Sequence, residues 1–405
     1  MNILLVNRWY PPYSGYGGVA MYNYYLTHAL KRQGHQVSIL AARWSKSDPE
    51  IQDDDGIKVT RILAEHKAFL HRLPLIGRYM RPLIKWNYSR KVANKIREME
   101  KKEHFDIIEF AEVGAEGFVY LRRGPSSPVV VRCHTPTFVL KKYYLPEEMP
   151  YNTGISERME KFCISQADGL TAPSKDMANL IEHICDLESN SVVAIPNPLD
   201  LTPFLKSNGV SQKSQRPITV LHVGRMERIK GIETLIKAAE IVNKACSNVR
   251  FVFIGGGSDE YLNHCQQLAY SLDIPESAIE FLGKVNQETL FDWYQCADIA
   301  VIPTLNYESF SYTVAQALAA GLPVVASCIG GIPETVGDEG SALLIEPGNH
   351  QQLAKSLITL CQDSLIREKM AAAGLRHAKL YFSDDIVAEK MIVFYLELAR
   401  KKASQ

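Results

Sequence analysis

One arrangement occurs twice in this chain and constrains its fold more than any other feature. Residues 2–41 run from an apolar stretch (NILLVN) through a glycine-containing loop (PPYSGYGG) and a helix-period segment (VAMYNYYLTHALKRQG) to a second apolar stretch (QVSILA). Residues 218–254 repeat that order as ITVLHV, GRMERIKG, IETLIKAAEIVNKAC and VRFVFI. Short β-branched runs predict strands, and apolar spacing near 3.6 predicts the helix between them. A strand–helix–strand unit requires a parallel sheet covered by helices on its faces. Two such starts predict two doubly wound α/β domains in tandem.

The length of 405 residues agrees, since one core rarely grows so large. The boundary is predicted at 204–217, FLKSNGVSQKSQRP, which is polar and without apolar periodicity. The domains are therefore expected at 1–203 and 216–380, with a helix over 384–402. Lys+Arg and Asp+Glu both number 45, so no whole-protein attraction to nucleic acid is expected. The eight cysteines form no C-x-x-C pair and read mostly as small buried thiols of a reducing compartment. The opening MNILLVNRW lacks the basic start of a secretory leader, and no apolar run is long enough to span a bilayer. A cytoplasmic protein is expected.

Open α/β sheets bind ligands outside the carboxyl ends of their strands. In Gly224–Gly231, Arg225 and Lys230 bracket a strand-to-helix turn, a pairing of fixed cations and helix N-terminus suited to a diphosphate. A solvated surface loop is the plainer alternative. Glu308 begins Glu308-Ser309-Phe310-Ser311, with Gln316 eight residues on. Its carboxylate suits sugar hydroxyls, or merely favours a helix N-terminus. Gly330-Gly331-Ile332-Pro333 could let backbone approach a ligand, or be an ordinary loop and helix start. In the first domain, Gly15–Gly18 precedes a helix, and His134 follows the apolar run VVVRC and should face a cleft. A structural histidine is the alternative there. Asp53-Asp54-Asp55 reads as a solvated loop, and no metal site is found.

Taken in order, the Gly15–Gly18 loop, His134, the NPLD at 197–200, GRMERIKG, the Glu308 motif and GGIPET resemble family 4 of the retaining glycosyltransferases. That resemblance implies the GT-B fold, two Rossmann-like domains facing a cleft, with the C-terminal helix crossing back to the first. It implies that Arg225 and Lys230 hold the diphosphate of a nucleotide-sugar donor, Glu308 binds sugar hydroxyls and His134 lies beside the sugar. Gly17 and Gly18 would lie near the phosphates, and Gly224 would be among the donor-binding residues. Backbone around Gly330, Gly331 and Ile332 would contact the sugar or distal phosphate, and Gly283 and Lys284 the base. The chain departs from the family at Ser311, where glycine is frequent, and at Gln316, where a second glutamate would bind the ribose. No cofactor or metal is expected, because the two cations replace it. The acceptor would be a carbohydrate, a lipid-linked sugar or a small molecule.

Residues 61–102 hold twelve Lys/Arg against Glu65, Glu98 and Glu100, with apolar residues interleaved. Such a stretch could lie peripherally on an anionic inner membrane face, or be a solvated basic face on a packed helix. Three other readings bear on the same residues. A dinucleotide-dependent oxidoreductase is disfavoured, because the glycines follow the first strand too late and no ribose-binding acid ends the second. A GT-B relative such as a nucleotide-sugar epimerase shares the fold. A non-catalytic sugar-nucleotide-binding or scaffold protein finds its support in Gln316.

Overall fold

In the computed structural model, residues 1–13, 15, 17–64, 77–143, 154–205, 216–337 and 340–403 are described. The chain divides into two units, Met1–Pro198 with Asp384–Gln405, and Leu199–Ser383.

The first unit contains β1 (Asn2–Val6), α1 (Gly18–Arg32), β2 (Gln36–Arg43), β3 (Ile51–Asp54), β4 (Ile57–Leu63), α2 (Gly77–Glu100) and β5 (Ile107–Ala111). It continues with α3 (Phe118–Arg122), β6 (Val129–Arg132), α4 (Thr137–Tyr143), α5 (Gly154–Gln166), β7 (Gly169–Ala172), α6 (Lys175–Cys185) and β8 (Val192–Ala194). The sheet order is β3-β4-β2-β1-β5-β6-β7-β8, parallel except where β3 pairs antiparallel with β4. Central strands such as β5 and β6 are buried along their whole length, as sheets covered on both faces require.

The second unit contains β9 (Ile218–Val223), α7 (Ile232–Ala245), β10 (Val249–Ile254), α8 (Asp259–Ser271), β11 (Ile279–Gly283), α9 (Gln287–Cys296) and β12 (Ile299–Ile302). After these come α10 (Tyr312–Ala319), β13 (Val324–Ser327), α11 (Ile332–Val336), β14 (Ala342–Ile345), α12 (His350–Gln362) and α13 (Ser364–Tyr381). Its sheet is all parallel, in the order β11-β10-β9-β12-β13-β14. Strand order reverses between β9 and β12 here, and between β1 and β5 in the first unit. These are the crevices where open sheets accept ligands.

The break between units falls after Pro198, five residues before the expected 203. Leu199 donates its N–H to the Phe382 carbonyl at 2.8 Å, and Phe204 packs edge-on against Phe291 and Tyr294. These contacts commit 199–205 to the second unit, so the polar 204–217 segment leads into β9 rather than joining the units. Its residues 206–215 lie outside the described residues. The final helix, α14 (Asp384–Ala403), belongs to the first unit. Val387, Ala388, Met391 and Tyr395 enter one core cluster with Tyr22, Leu26 and Ala29 of α1, and Arg32 bonds Asp384 and Asp385 at 2.8 Å each.

Three expectations are corrected. Asp53 and Asp54 belong to β3 rather than a loop; Asp53 is exposed, while Asp54 accepts the Tyr10 hydroxyl at 2.6 Å. The basic stretch is not one charged surface. Arg61 is buried inside β4, Lys85 approaches Glu160 at 3.6 Å, Lys91 donates to the Leu63 carbonyl and Lys95 pairs with Glu98. Lys67 and Arg72 lie outside the described residues. Arg90, Arg97, Lys101 and Lys102 remain exposed. All eight cysteines are free; Cys296 and Cys328 are exposed, unlike the buried thiols expected. Among the described residues, no helix is long and apolar enough to cross a membrane.

Met391 is fully buried between α14 and the sheet. Met391→Ala is expected to cost about 3 kcal/mol, read as a lowered urea midpoint at unchanged m-value.

Candidate active site

The chain leaves β9 at Gly224, makes a short 3-10 turn over Arg228–Lys230 and enters α7 through Gly231. Gly231 has φ of 72°, and a Cβ there would stand 1.9 Å from the Pro303 carbonyl oxygen. Positive φ and close approach together require glycine. As N-cap it contributes no side-chain acceptor to α7. Beside it, Lys230 Nζ donates to Glu308 Oε1. The two residues are 78 positions apart, on the loops after β9 and β12 that flank the reversal of strand order. Each side chain is little more than one-fifth exposed, so the pair is partly shielded from water.

The loop after β13 closes on the same place. Gly331 donates its N–H to the Glu308 carbonyl at 2.7 Å. Gly330 has φ of 57°, and a Cβ there would meet that carbonyl at 2.4 Å and the Tyr307 ring at 3.0 Å. Lys230, Glu308, Gly330 and Gly331 are thereby brought together. Two of the backbone N–H groups at this loop are already bonded within the chain. Gly331 is bonded to Glu308, and the Ile332 N–H reaches the Ile329 carbonyl at 3.2 Å. The Ile332 side chain is buried.

Arg225 is elsewhere. Its guanidinium donates to Glu227 at 2.6 Å and is 63% exposed. An exposed pair of this kind contributes at most about 1 kcal/mol, so Arg225 can be drawn away from it at little cost. Gly283 accepts the Gly255 N–H at 2.9 Å, which sets Gly283 and exposed Lys284 at the end of β11 beside the end of β10. Ser311 is the N-cap of α10, accepting from the Val314 N–H. Gln316 accepts the Tyr294 hydroxyl at 3.1 Å, so its carbonyl oxygen already has a partner.

In the first unit, exposed Gly17 is the N-cap of α1 and Gly18 its first residue, with no acid in the first turn. Tyr16 lies outside the described residues. The loop leading there is anchored by Arg61, which donates to the Tyr10 and Pro11 carbonyls at 3.3 and 3.0 Å. His134, just past β6, does not present its ring openly. It is buried, edge-on to Tyr22 with ring centroids 4.9 Å apart. Burial first, and the Arg132 charge second, hold its pKa well below the ordinary imidazole range, so the ring is neutral. Glu112 fixes its backbone, accepting the His134 and Thr135 N–H groups at 2.8 and 2.7 Å. Burial pushes the Glu112 carboxyl up to about 8.

Two family models match: "Glycosyltransferase Family 4" over residues 16–202 and "Glycosyl transferases group 1" over 217–363. The chain belongs to the family 4 glycosyltransferases. This glycosyltransferase is 26% identical to the D-inositol 3-phosphate glycosyltransferase of Xylanimonas cellulosilytica, over 96% of the chain and 94% of that protein. Its fold is GT-B. Sucrose-phosphate synthase from Thermosynechococcus elongatus superposes with a TM-score of 0.81 at 20% identity, covering 98% of this chain and 99% of that one. HepE of Anabaena, in complex with UDP, gives 0.72 at 17% identity, covering 98% and 100%.

Sequence reasoning missed several residues that shape these loops. Gly255–Gly257, a triple glycine after β10, pairs with the Arg225 loop: the Met226 N–H reaches the Gly256 carbonyl at 2.9 Å. That run was visible in the sequence. His222 carried no signal. It is buried at the end of β9, its Nδ1 is 3.0 Å from the Val301 carbonyl and so carries the proton, and burial pulls its pKa down to about 4. The unfolded chain protonates this imidazole below about pH 6.5 while the folded one resists. Stability is therefore full above pH 6.5 and falls as pH drops toward 4, by up to about 3 kcal/mol from this group. Urea midpoints between pH 7 and 4.5 should show that loss, and His222→Asn, which keeps a donor toward Val301, should flatten it.

Proposed function

We propose that this glycosyltransferase moves a sugar from a nucleoside-diphosphate sugar to an acceptor hydroxyl, with retention of anomeric configuration, in polysaccharide, glycolipid or glycoside biosynthesis. The Lys230–Glu308 pair at the strand-order reversal of the second unit, closed by the Gly330–Gly331 loop, carries this reading. It joins a cation suited to a diphosphate with a carboxylate suited to sugar hydroxyls at one strand-end site. The UDP bound by HepE supports a nucleotide as the ligand class. In this reading Leu199–Ser383 is the donor domain and the first unit the acceptor side.

The step balances without an added base. The bond from the anomeric carbon to the distal phosphate oxygen breaks, and the acceptor oxygen bonds that carbon on the same face. The acceptor's proton passes to the departing phosphate. Negative charge grows on the diphosphate as it leaves, and Lys230, joined by Arg225 released from Glu227, offsets it; such preorganised charge is commonly the largest rate term. These two cations take the place of a metal, so turnover is expected to survive EDTA. Glu308 exchanges its bond to Lys230 for bonds to sugar hydroxyls when the donor enters.

A panel of nucleotide sugars, scored by donor hydrolysis and thermal shift, tests the reading. Lys230→Ala is expected to abolish both with the fold intact. Glu308→Gln frees Lys230 from its carboxylate and is expected to bind UDP several-fold tighter by calorimetry while turnover falls at least tenfold. Unchanged turnover in Lys230→Ala would refute the diphosphate role.

We also propose a lipid-linked acceptor reached at an anionic inner membrane face through α2. Leu83 and Trp86 are 56% and 44% exposed there, with the Arg90 guanidinium 5.6 Å above the Trp86 ring, and Arg122 and Arg123 of the neighbouring α3 end add exposed charge. Co-sedimentation should favour phosphatidylglycerol over phosphatidylcholine vesicles and weaken in Trp86→Ala. Equal sedimentation with both lipids would reject the membrane contact.

A further inference from the structure

Tyr395, on α14, is wholly buried in the first unit. Its hydroxyl donates to Glu109 Oε2 at 2.7 Å, while the Tyr22 hydroxyl donates to Oε1 of the same carboxylate at 2.9 Å. One buried glutamate on β5 thus joins the last helix of the chain to the first. Tyr22 is also held across its face. The Arg132 guanidinium lies 4.7 Å from the ring centroid and is itself fixed to the Ile195 carbonyl at 2.7 Å and to Asn197 Oδ1 at 2.8 Å. The edge of that clamped ring meets the His134 imidazole at an interplanar angle of 76°.

His134 Nε2 is buried with no hydrogen-bond partner among the described residues. Glu112 fixes the histidine's backbone but not the rotation of its ring. The Tyr22 ring packs against that imidazole, and edge-to-face packing gives the contact a preferred angle.

We propose that Tyr395 is a positioning residue for His134, acting through Glu109 and Tyr22. The chain's last helix would then set the orientation of an imidazole more than 250 residues earlier in the sequence. The proposal rests on the proposed transfer reaction and on the expectation that His134 lies beside the transferred sugar. Tyr395→Phe keeps the ring and the apolar contacts of α14 and removes only the bond to Glu109. Tyr22→Phe releases the other oxygen of the same carboxylate and serves as the second variant should Tyr395→Phe fail to fold.

The test uses full-length protein labelled with ¹³C-histidine. The chain has eleven histidines, and His134→Gln assigns the signal in question. The His134 signal is expected to move in both phenylalanine variants, with those of the second unit unchanged. Turnover of the nucleotide sugar that the wild type consumes in the donor panel is expected to fall about tenfold in kcat at unchanged KM, as misplacement of a reacting group does. A folded Tyr395→Phe or Tyr22→Phe with the His134 signal unmoved overturns the proposal. Wild-type turnover in His134→Gln, with the signal still moving in the phenylalanine variants, overturns instead the role given to His134 and leaves the positioning chain standing.

Discussion

Both parallel sheets are covered by helices on their two faces, and everything chemical in the molecule follows from that covering. Strands such as β5, β6, β12 and β13 are buried from end to end, so their side chains can pack but cannot meet a ligand. Backbone groups inside the sheet are committed to the ladder. Only the loops at the strand ends escape both demands. Where strand order reverses, the loops on either side diverge and leave room, and the Lys230 and Glu308 loops lie on the two sides of that reversal.

Charge is handled differently in the two units. The second keeps its ionic pair partly exposed, where Lys230 and Glu308 can exchange partners with a ligand. The first also buries several charged side chains and bonds them internally. Arg61 and Arg132 are spent on backbone carbonyls and amide oxygens, and Glu109, Glu112 and Glu160 on phenols, hydroxyls and N–H groups. Removing one partner from such a network leaves a buried polar group unpaired, which costs more than the bond itself contributes. These groups fix loops and rings rather than offering themselves to substrate.

Much of the fold was legible because it depends on local pattern. The helix expected at 19–34 is found at Gly18–Arg32, and that at 232–246 at Ile232–Ala245, since apolar periodicity and flanking glycines are properties of neighbouring residues. The unit boundary was less legible. Polarity marked 204–217, but the contacts that assign 199–205 join residues far apart in sequence, such as Leu199 with Phe382. The basic stretch was legible only in part, for a similar reason. Composition counts charges, whereas Arg61 and Lys85 are taken inward by partners that composition does not reveal.

From the sequence alone came two doubly wound domains, the loops that bear chemistry and the family those loops resemble, because strand period, helix period and glycine placement are written in short windows. Tertiary structure alone decided which of those residues meet. It paired Lys230 with Glu308, committed the N–H groups of Gly331 and Ile332, turned Arg225 to Glu227 and buried His134 against Tyr22. Each of these depends on which strand ends lie side by side or which side chains a packed interior admits, and sheet order and packing are set by contacts across the whole chain.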